Sequence, residues 1–126
     1  MSCFRYPVEV ADARGEHFME EMAWVDTGAF FSQFPSSMLQ SLGYEPNAKR
    51  RLRMADGTSV DVPIGPVLIR LNGEAQPILC VFGEGDDILL GATTLELFTL
   101  GVDPVQETLV PVEGLRLTML PADDVT

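Results

Sequence analysis

The apolar runs of this sequence are short, and glycine, proline and Asx-Gly pairs punctuate them along the whole chain. Eleven glycines and nine prolines are spread over 126 residues. Strand-length apolar segments bounded by turn residues are the signature of a β-rich domain. The length fits one domain, residues 1–126, and a domain of that size buries roughly two thirds of the surface its unfolded chain would expose. A hydrophobic fraction of 46% gives it the material for a core and argues against disorder.

Reading along the chain, residues 4–13 and 18–25 are expected as strands around a turn at Arg14-Gly15-Glu16. Met22, Ala23, Trp24 and Val25 form an unbroken apolar stretch, so both faces of that strand end are expected to be buried. Residues 35–42 read as a short helix that starts at Pro35 and stops at Gly43. Residues 51–55 and 58–64 flank Asp56-Gly57, a hairpin-turn dipeptide. Beyond Gly65-Pro66 the apolar phase slips from Val60, Val62 and Ile64 to Val67, Ile69 and Leu71, which predicts a bend or a bulge. Asn72-Gly73 marks another turn, and residues 78–82 read as a central strand. Residues 88–91 form a short buried strand leading into a helix at 93–100 that Gly101 ends. Residues 105–112 and 115–120 are expected to be closing strands around Glu113-Gly114. This order predicts a mostly β, barrel-like domain with two short helices.

The formal charge of −11 repels phosphate backbones and anionic bilayers, so neither nucleic acid nor membrane is an expected partner. Two cysteines are too few for a disulfide framework. Residues 1–10 lack a signal-peptide apolar region, and no apolar run reaches membrane-helix length, so a cytoplasmic location is expected. One histidine and two scattered cysteines do not make a zinc site, and no cofactor is called for. Lys49, Arg50, Arg51 and Arg53 are expected to be solvated, as are the acidic Glu84, Asp86 and Asp87 and the lone His17. Cys80 is expected as an inert core thiol and Trp24 as a core residue.

Three features carry possible chemistry. In Trp24-Val25-Asp26-Thr27-Gly28-Ala29 a buried strand ends in an acid, a hydroxyl and a glycine. Such a carboxylate needs hydrogen bonds or a shared proton, although Asp and Gly also build ordinary turns. Ile88-Leu89-Leu90-Gly91 reads either as a core strand or as a support packed beside the Asp26 loop, with Gly91 permitting close backbone approach. The hairpin tip Met54-Ala55-Asp56-Gly57-Thr58 reads either as a plain turn or as a flap that closes over substrate.

In this order and spacing the three features resemble the retropepsin-like aspartic peptidases, nearer their cellular and bacterial branch than the viral enzymes. The matching stretches run from Val25-Asp26-Thr27-Gly28-Ala29 through Ser32, Pro35, Ala55-Asp56-Gly57, Ile88-Leu89-Leu90-Gly91-Ala92, Leu95-Glu96 and Val102-Asp103-Pro104 to Leu109-Val110-Pro111. The resemblance implies a closed or partly open acid-protease-type barrel, one lobe per subunit, in a homodimer that hydrolyses peptide or protein substrates without a metal. It implies Asp26 as the catalytic carboxylate and Thr27 as a brace across the dimer. Gly28, Ala29, Ser32 and Gly91 would support the loop, and Ala55, Asp56 and Gly57 would form the flap. The sequence departs from the viral pattern at Phe30, where relatives commonly carry a small or acidic residue, and at Ala92, where viral enzymes carry an arginine. A peptide-binding or dimerisation module with weak or lost catalysis remains open on the same fold, and so, more remotely, does a barrel storing a small apolar ligand.

Overall fold

Alternation of buried and exposed residues sets the strands. The computed structural model describes residues 3–113. β1 (Phe4–Ala11) buries Phe4, Val8, Val10 and Ala11, and pairs antiparallel with β2 (Phe18–Val25) from Phe4↔Val25 to Ala11↔Phe18. The chain continues through β3 (Ser32–Pro35), α1 (Ser36–Ser41), β4 (Ala48–Arg53), β5 (Ser59–Leu71) and β6 (Glu74–Gly83). It then forms β7 (Leu89–Leu90), α2 (Ala92–Leu97), β8 (Leu100–Asp103) and β9 (Thr108–Pro111).

Seven of these strands make one sheet in the order β1-β2-β7-β3-β6-β5-β4, and β1 also pairs with β5. The sheet therefore curls into a ring, and β4 hangs from its outside. Glu9↔Arg70 and Val10↔Ile69 close the ring. Arg70 adds a bond of 3.3 Å to Glu9 and lies 3.8 Å from the centre of the Phe18 ring. Inside sit Val8, Val10, Phe34, Leu39, Ile69 and Leu90, all nearly or fully inaccessible to solvent. The protein is mostly β with two short helices, as the sequence predicts. Among the described residues no helix is long and apolar enough to cross a membrane.

α1 stops where Gly43 predicts. Gly43 takes φ +95, its N–H donates to Gln40 O at 3.0 Å, and Tyr44 N–H donates to Leu39 O at 2.9 Å. This double bond pattern caps the last carbonyls of a helix around a left-handed residue. The Tyr44 hydroxyl donates to Ala11 O at 2.7 Å and accepts from Leu68 N at 3.2 Å, tying α1 to the ring.

Several local expectations need correction. The slip at Gly65-Pro66 produces no bulge: β5 runs unbroken for 13 residues and keeps register with β6 from Ile64↔Val81 to Leu71↔Glu74. Val60 lies outside the core at 40% exposure, because the first half of β5 projects away from the ring with β4. The apolar phase changes where the strand enters the ring, and Ile64 and Gly65 are both buried at that point. A Cβ on Gly65 would lie 3.2 Å from Glu45 O and from Phe82, so the glycine admits the neighbouring chain. The outer face at the end of β2 is also open. Met22 is exposed and Trp24 only half-buried, with the Arg5 guanidinium 4.9 Å from the centre of its ring.

α2 is shorter than predicted and ends at Leu97. Thr99, not Gly101, takes the left-handed turn, at φ 50, and Gly101 belongs to β8. There a Cβ would meet Val112 Cγ1 at 2.7 Å, so that glycine serves strand packing and not helix termination. β9 begins at Thr108 because the Asp103 carboxylate accepts the amides of Val105 and Gln106, both at 3.1 Å, and holds the preceding residues in a turn. The expected strand at 115–120, and Gly114 of the turn before it, lie outside the described residues.

Candidate active site

Asp26 and the turn after it are held by two segments far away in sequence, β7 and α2. β7 lies between β2 and β3, parallel to the first and antiparallel to the second. Trp24 N–H donates to Ile88 O at 2.8 Å and Asp26 N–H donates to Leu90 O at 3.0 Å. The strand pairing therefore continues up to the acid itself. Beyond it the chain turns at once: Ala29 N–H donates to Asp26 O at 3.2 Å, and Gly28 N–H donates to Asp26 Oδ1 at 2.9 Å. An Asx side chain bonded two residues ahead is a turn device, so the bland reading of the triplet is correct as local structure. It leaves Oδ2 without a hydrogen bond from the described residues, on a half-buried side chain.

α2 braces the far side of the turn. Ala92 N–H donates to Ala29 O at 2.7 Å, and Thr93 donates both its amide and its hydroxyl to Phe30 O. Ser32 Oγ accepts Gly91 N–H at 3.0 Å and lies 2.5 Å from Thr94 Oγ1. Ser32 and Thr94 are the buried polar residues of the described chain, and they satisfy each other. Gly91 allows the approach: a Cβ there would fall 2.6 Å from Phe31 O and 2.8 Å from Ala29 O.

The structure thus brings Asp26, Gly28, Ala29, Ser32 and Gly91 into one braced unit, with Thr27 inside the same turn. Thr27 and Gly28 are exposed on its surface. Sequence reasoning missed Thr93 and Thr94. A threonine directly beside the inward-facing Leu95 was the available signal, since a hydroxyl on a buried helix face needs a partner.

Ala55, Asp56 and Gly57 form a separate unit. They cap the β4–β5 hairpin, exposed throughout, with Gly57 at φ +91 and Met54 N–H donating to Thr58 O at 2.7 Å. Asp56 Oδ1 accepts both the hydroxyl and the amide of Thr58, which holds its carboxyl below the usual range. No hydrogen bond among the described residues joins this tip to the Asp26 loop. The basic strip on β4 is solvated as expected. Arg51 reaches its cross-strand neighbour Asp61 at 3.4 Å with both side chains more than half exposed, which is worth little to stability. Cys80 is fully buried, and burial pushes its thiol up to about 12, so it is inert as expected. Among the described residues no group of three His, Cys, Asp or Glu side chains is placed to hold a metal ion.

Removing the Ser32 hydroxyl tests the brace. Ser32→Ala leaves Gly91 N–H without its acceptor and the Thr94 hydroxyl without its partner, both buried, at a cost of about 1–3 kcal/mol. Urea denaturation is expected to show that loss as a lower midpoint with an unchanged slope. An unchanged midpoint would show the hydroxyl pair to be dispensable.

No protein-family model and no curated protein sequence matches the chain. Solved structures do. The chain is similar to the simian foamy virus (mac) protease, with a TM-score of 0.53 at 16% identity over 74% of this chain and 94% of that one. It is similar to the EIAV protease, with a TM-score of 0.55 at 19% identity over 77% and 88%. It is also similar to a retropepsin-like aspartic protease from Rickettsia conorii, with a TM-score of 0.53 at 20% identity over 86% and 91%. Coverage on both sides is high and identity is low, so the likeness is one of fold. The chain has the retropepsin-type aspartic protease fold.

Proposed function

We propose that the chain is one subunit of a homodimeric aspartic endopeptidase in which Asp26 supplies one of two catalytic carboxylates. The observation that carries this reading is the Asp26-Thr27-Gly28 turn. It stands at the end of a strand whose last inward-facing residues, Ala23 and Val25, are buried, is braced by β7 and α2, and occurs once in a chain of retropepsin-type fold. One carboxylate cannot act as base and acid in the same step, and a two-fold dimer supplies the second.

Two Asp26 side chains that meet across the axis share a proton, because adjacent like charges disfavour double ionisation. The ionised member takes a proton from a water, and that water attacks the peptide carbonyl. The protonated member donates a hydrogen bond to the carbonyl oxygen as charge develops there. The bond from Gly28 N–H to Asp26 Oδ1 fixes the orientation of each carboxyl, so only Oδ2 has to exchange partners. The exposed Thr27 hydroxyl is free to bond across the axis, and Gly28 lets a substrate backbone approach. The hairpin with Ala55, Asp56 and Gly57 at its tip would fold over the bound peptide and exclude water.

The test is digestion of a mixed peptide library from pH 3 to pH 8 (roughly the span over which a carboxylate couple changes its protonation). Cleavage fastest at acidic pH is expected. Peptides that bind but stay intact at every pH would replace the enzyme with a peptide-binding module on this fold.

A further inference from the structure

Phe30 follows the Asp26 turn directly and is the most exposed aromatic side chain of the described residues, at 65%. Its base is rigid: Thr93 donates two bonds to its carbonyl, and its ring meets that of Phe31 edge-on with centroids 4.9 Å apart. Leu79 on β6 and Leu97 on α2 are also exposed, at 44% and 47%. With Phe30 and Pro77 they line an open groove of about 670 Å³ whose one ionisable lining residue is Glu96. Three large apolar side chains from three elements around one groove make a patch of the kind that marks an interaction site. The groove adjoins the brace of the candidate active site, because Thr93 and Thr94 both line it and bond to Phe30 O and Ser32 Oγ, which follow the Asp26 turn.

We infer that this groove selects substrate, taking a bulky apolar side chain of the peptide, with Phe30 as the specificity-determining residue. The inference rests on the proposed peptidase reading. The turn from Asp26 to Ala29 keeps those Cα atoms within about 7 Å, so the Phe30 Cα lies at most about 11 Å from the Asp26 Cα. An extended peptide advances about 3.4 Å per residue, which sets the selected side chain two or three residues from the scissile bond. Glu96 and the net charge of −11 disfavour an acidic side chain in the groove.

The experiment compares the wild-type protein with Phe30→Ser and Leu97→Ser on peptides that carry Phe, Leu, Ser or Asp at that distance from the cleaved bond. Both replaced side chains are already largely exposed, so the variants are expected to stay folded, which their thermal midpoints check. The wild type is expected to favour Phe and Leu over Ser and Asp. Each substitution is expected to lower the kcat/KM ratio of Phe over Ser peptides by about tenfold or more. Cleavage with the same ratio in wild type and variants would overturn the inference and leave the Asp26 reading intact. Loss of the dimer's sedimentation mass in Phe30→Ser would also overturn it, by making the groove a contact between copies. Should the wild type cleave nothing, the Asp26 reading fails and binding of a fluorescein-labelled Phe peptide decides. Binding weakened tenfold by Phe30→Ser upholds the groove, and equal or absent binding overturns it.

Discussion

Asp26→Asn is expected to lower kcat for peptide hydrolysis by at least about a thousandfold while leaving the protein folded, dimeric and able to bind peptide. The substitution is nearly isosteric. The asparagine Oδ1 still accepts the Gly28 amide, and the backbone bonds to Leu90 O and from Ala29 N do not involve the side chain. The turn therefore persists. What disappears is the group that can lose and regain a proton, and proton transfer by a positioned side chain contributes about 10²–10⁴-fold to a rate. Both sites of the dimer's couple change together, which places the loss toward the upper end of that range. The measurement is kcat and KM on a cleaved peptide together with the thermal midpoint of each protein. A lower kcat at similar KM and midpoint identifies chemistry. A collapse of the midpoint would show that the acid serves the fold.

The second large effect is expected at Gly91. Its backbone is ordinary, with φ −95, so conformational freedom is not the reason for glycine there. Space is the reason. A methyl group on this residue would fall 2.6 Å from Phe31 O, 2.7 Å from Phe31 C and 2.8 Å from Ala29 O. Each of these is backbone and cannot rotate away as a side chain would, and Ala29 O is fixed by its bond from Ala92 N–H. Gly91→Ala must push the Asp26 loop off α2, breaking Ala92 N–H to Ala29 O and Gly91 N–H to Ser32 Oγ. Overpacking costs about 1–3 kcal/mol, and here the lost bonds add to it. A fall in thermal midpoint of about 10 °C is expected, with hydrolysis lost because the acid moves. Gly85→Ala is the control: that position has open space around it and no positive φ, so stability and activity should hardly change. Equal behaviour of the two variants would refute the close-approach argument.

These contrasts show how much of the molecule was legible in the sequence. The turn at Asp26 was legible because its signal is local: an acid, a hydroxyl and a glycine at a strand end build a turn with the acid bonded two residues ahead. Gly91 was legible as a point of close approach to the Asp26 loop, though not that the atoms it meets are the backbone of Ala29 and Phe31, since those residues lie some sixty positions away in the chain. Thr94 was missed for the same reason. Its role exists only because β3 and α2 meet, and no periodicity reports a meeting of distant segments. The slip at Gly65-Pro66 was read correctly as a pattern, and of the two devices expected for it, a bend or a bulge, the register excludes the bulge. A two-residue period assumes one buried face along the whole strand, whereas β5 leaves the ring halfway and changes surroundings without changing register. Trp24 was misplaced by a similar assumption: an unbroken apolar run suggested two covered faces, and the strand covers only Ala23 and Val25. The end of α2 eluded the turn rules because a β-branched Thr99 adopts a conformation that Gly101 was better suited to take.

The central claim is that each chain provides half of one catalytic pair, and subunit mixing tests it most directly. Wild-type and Asp26→Asn chains are combined in equal amounts at fixed total concentration, given time to exchange, and assayed on a cleaved peptide. Mixed dimers hold a single carboxyl, so activity should follow the square of the wild-type fraction and fall to about one quarter of the undiluted value. Activity of one half, proportional to the wild-type chains present, would mean that each chain works alone and would contradict the account.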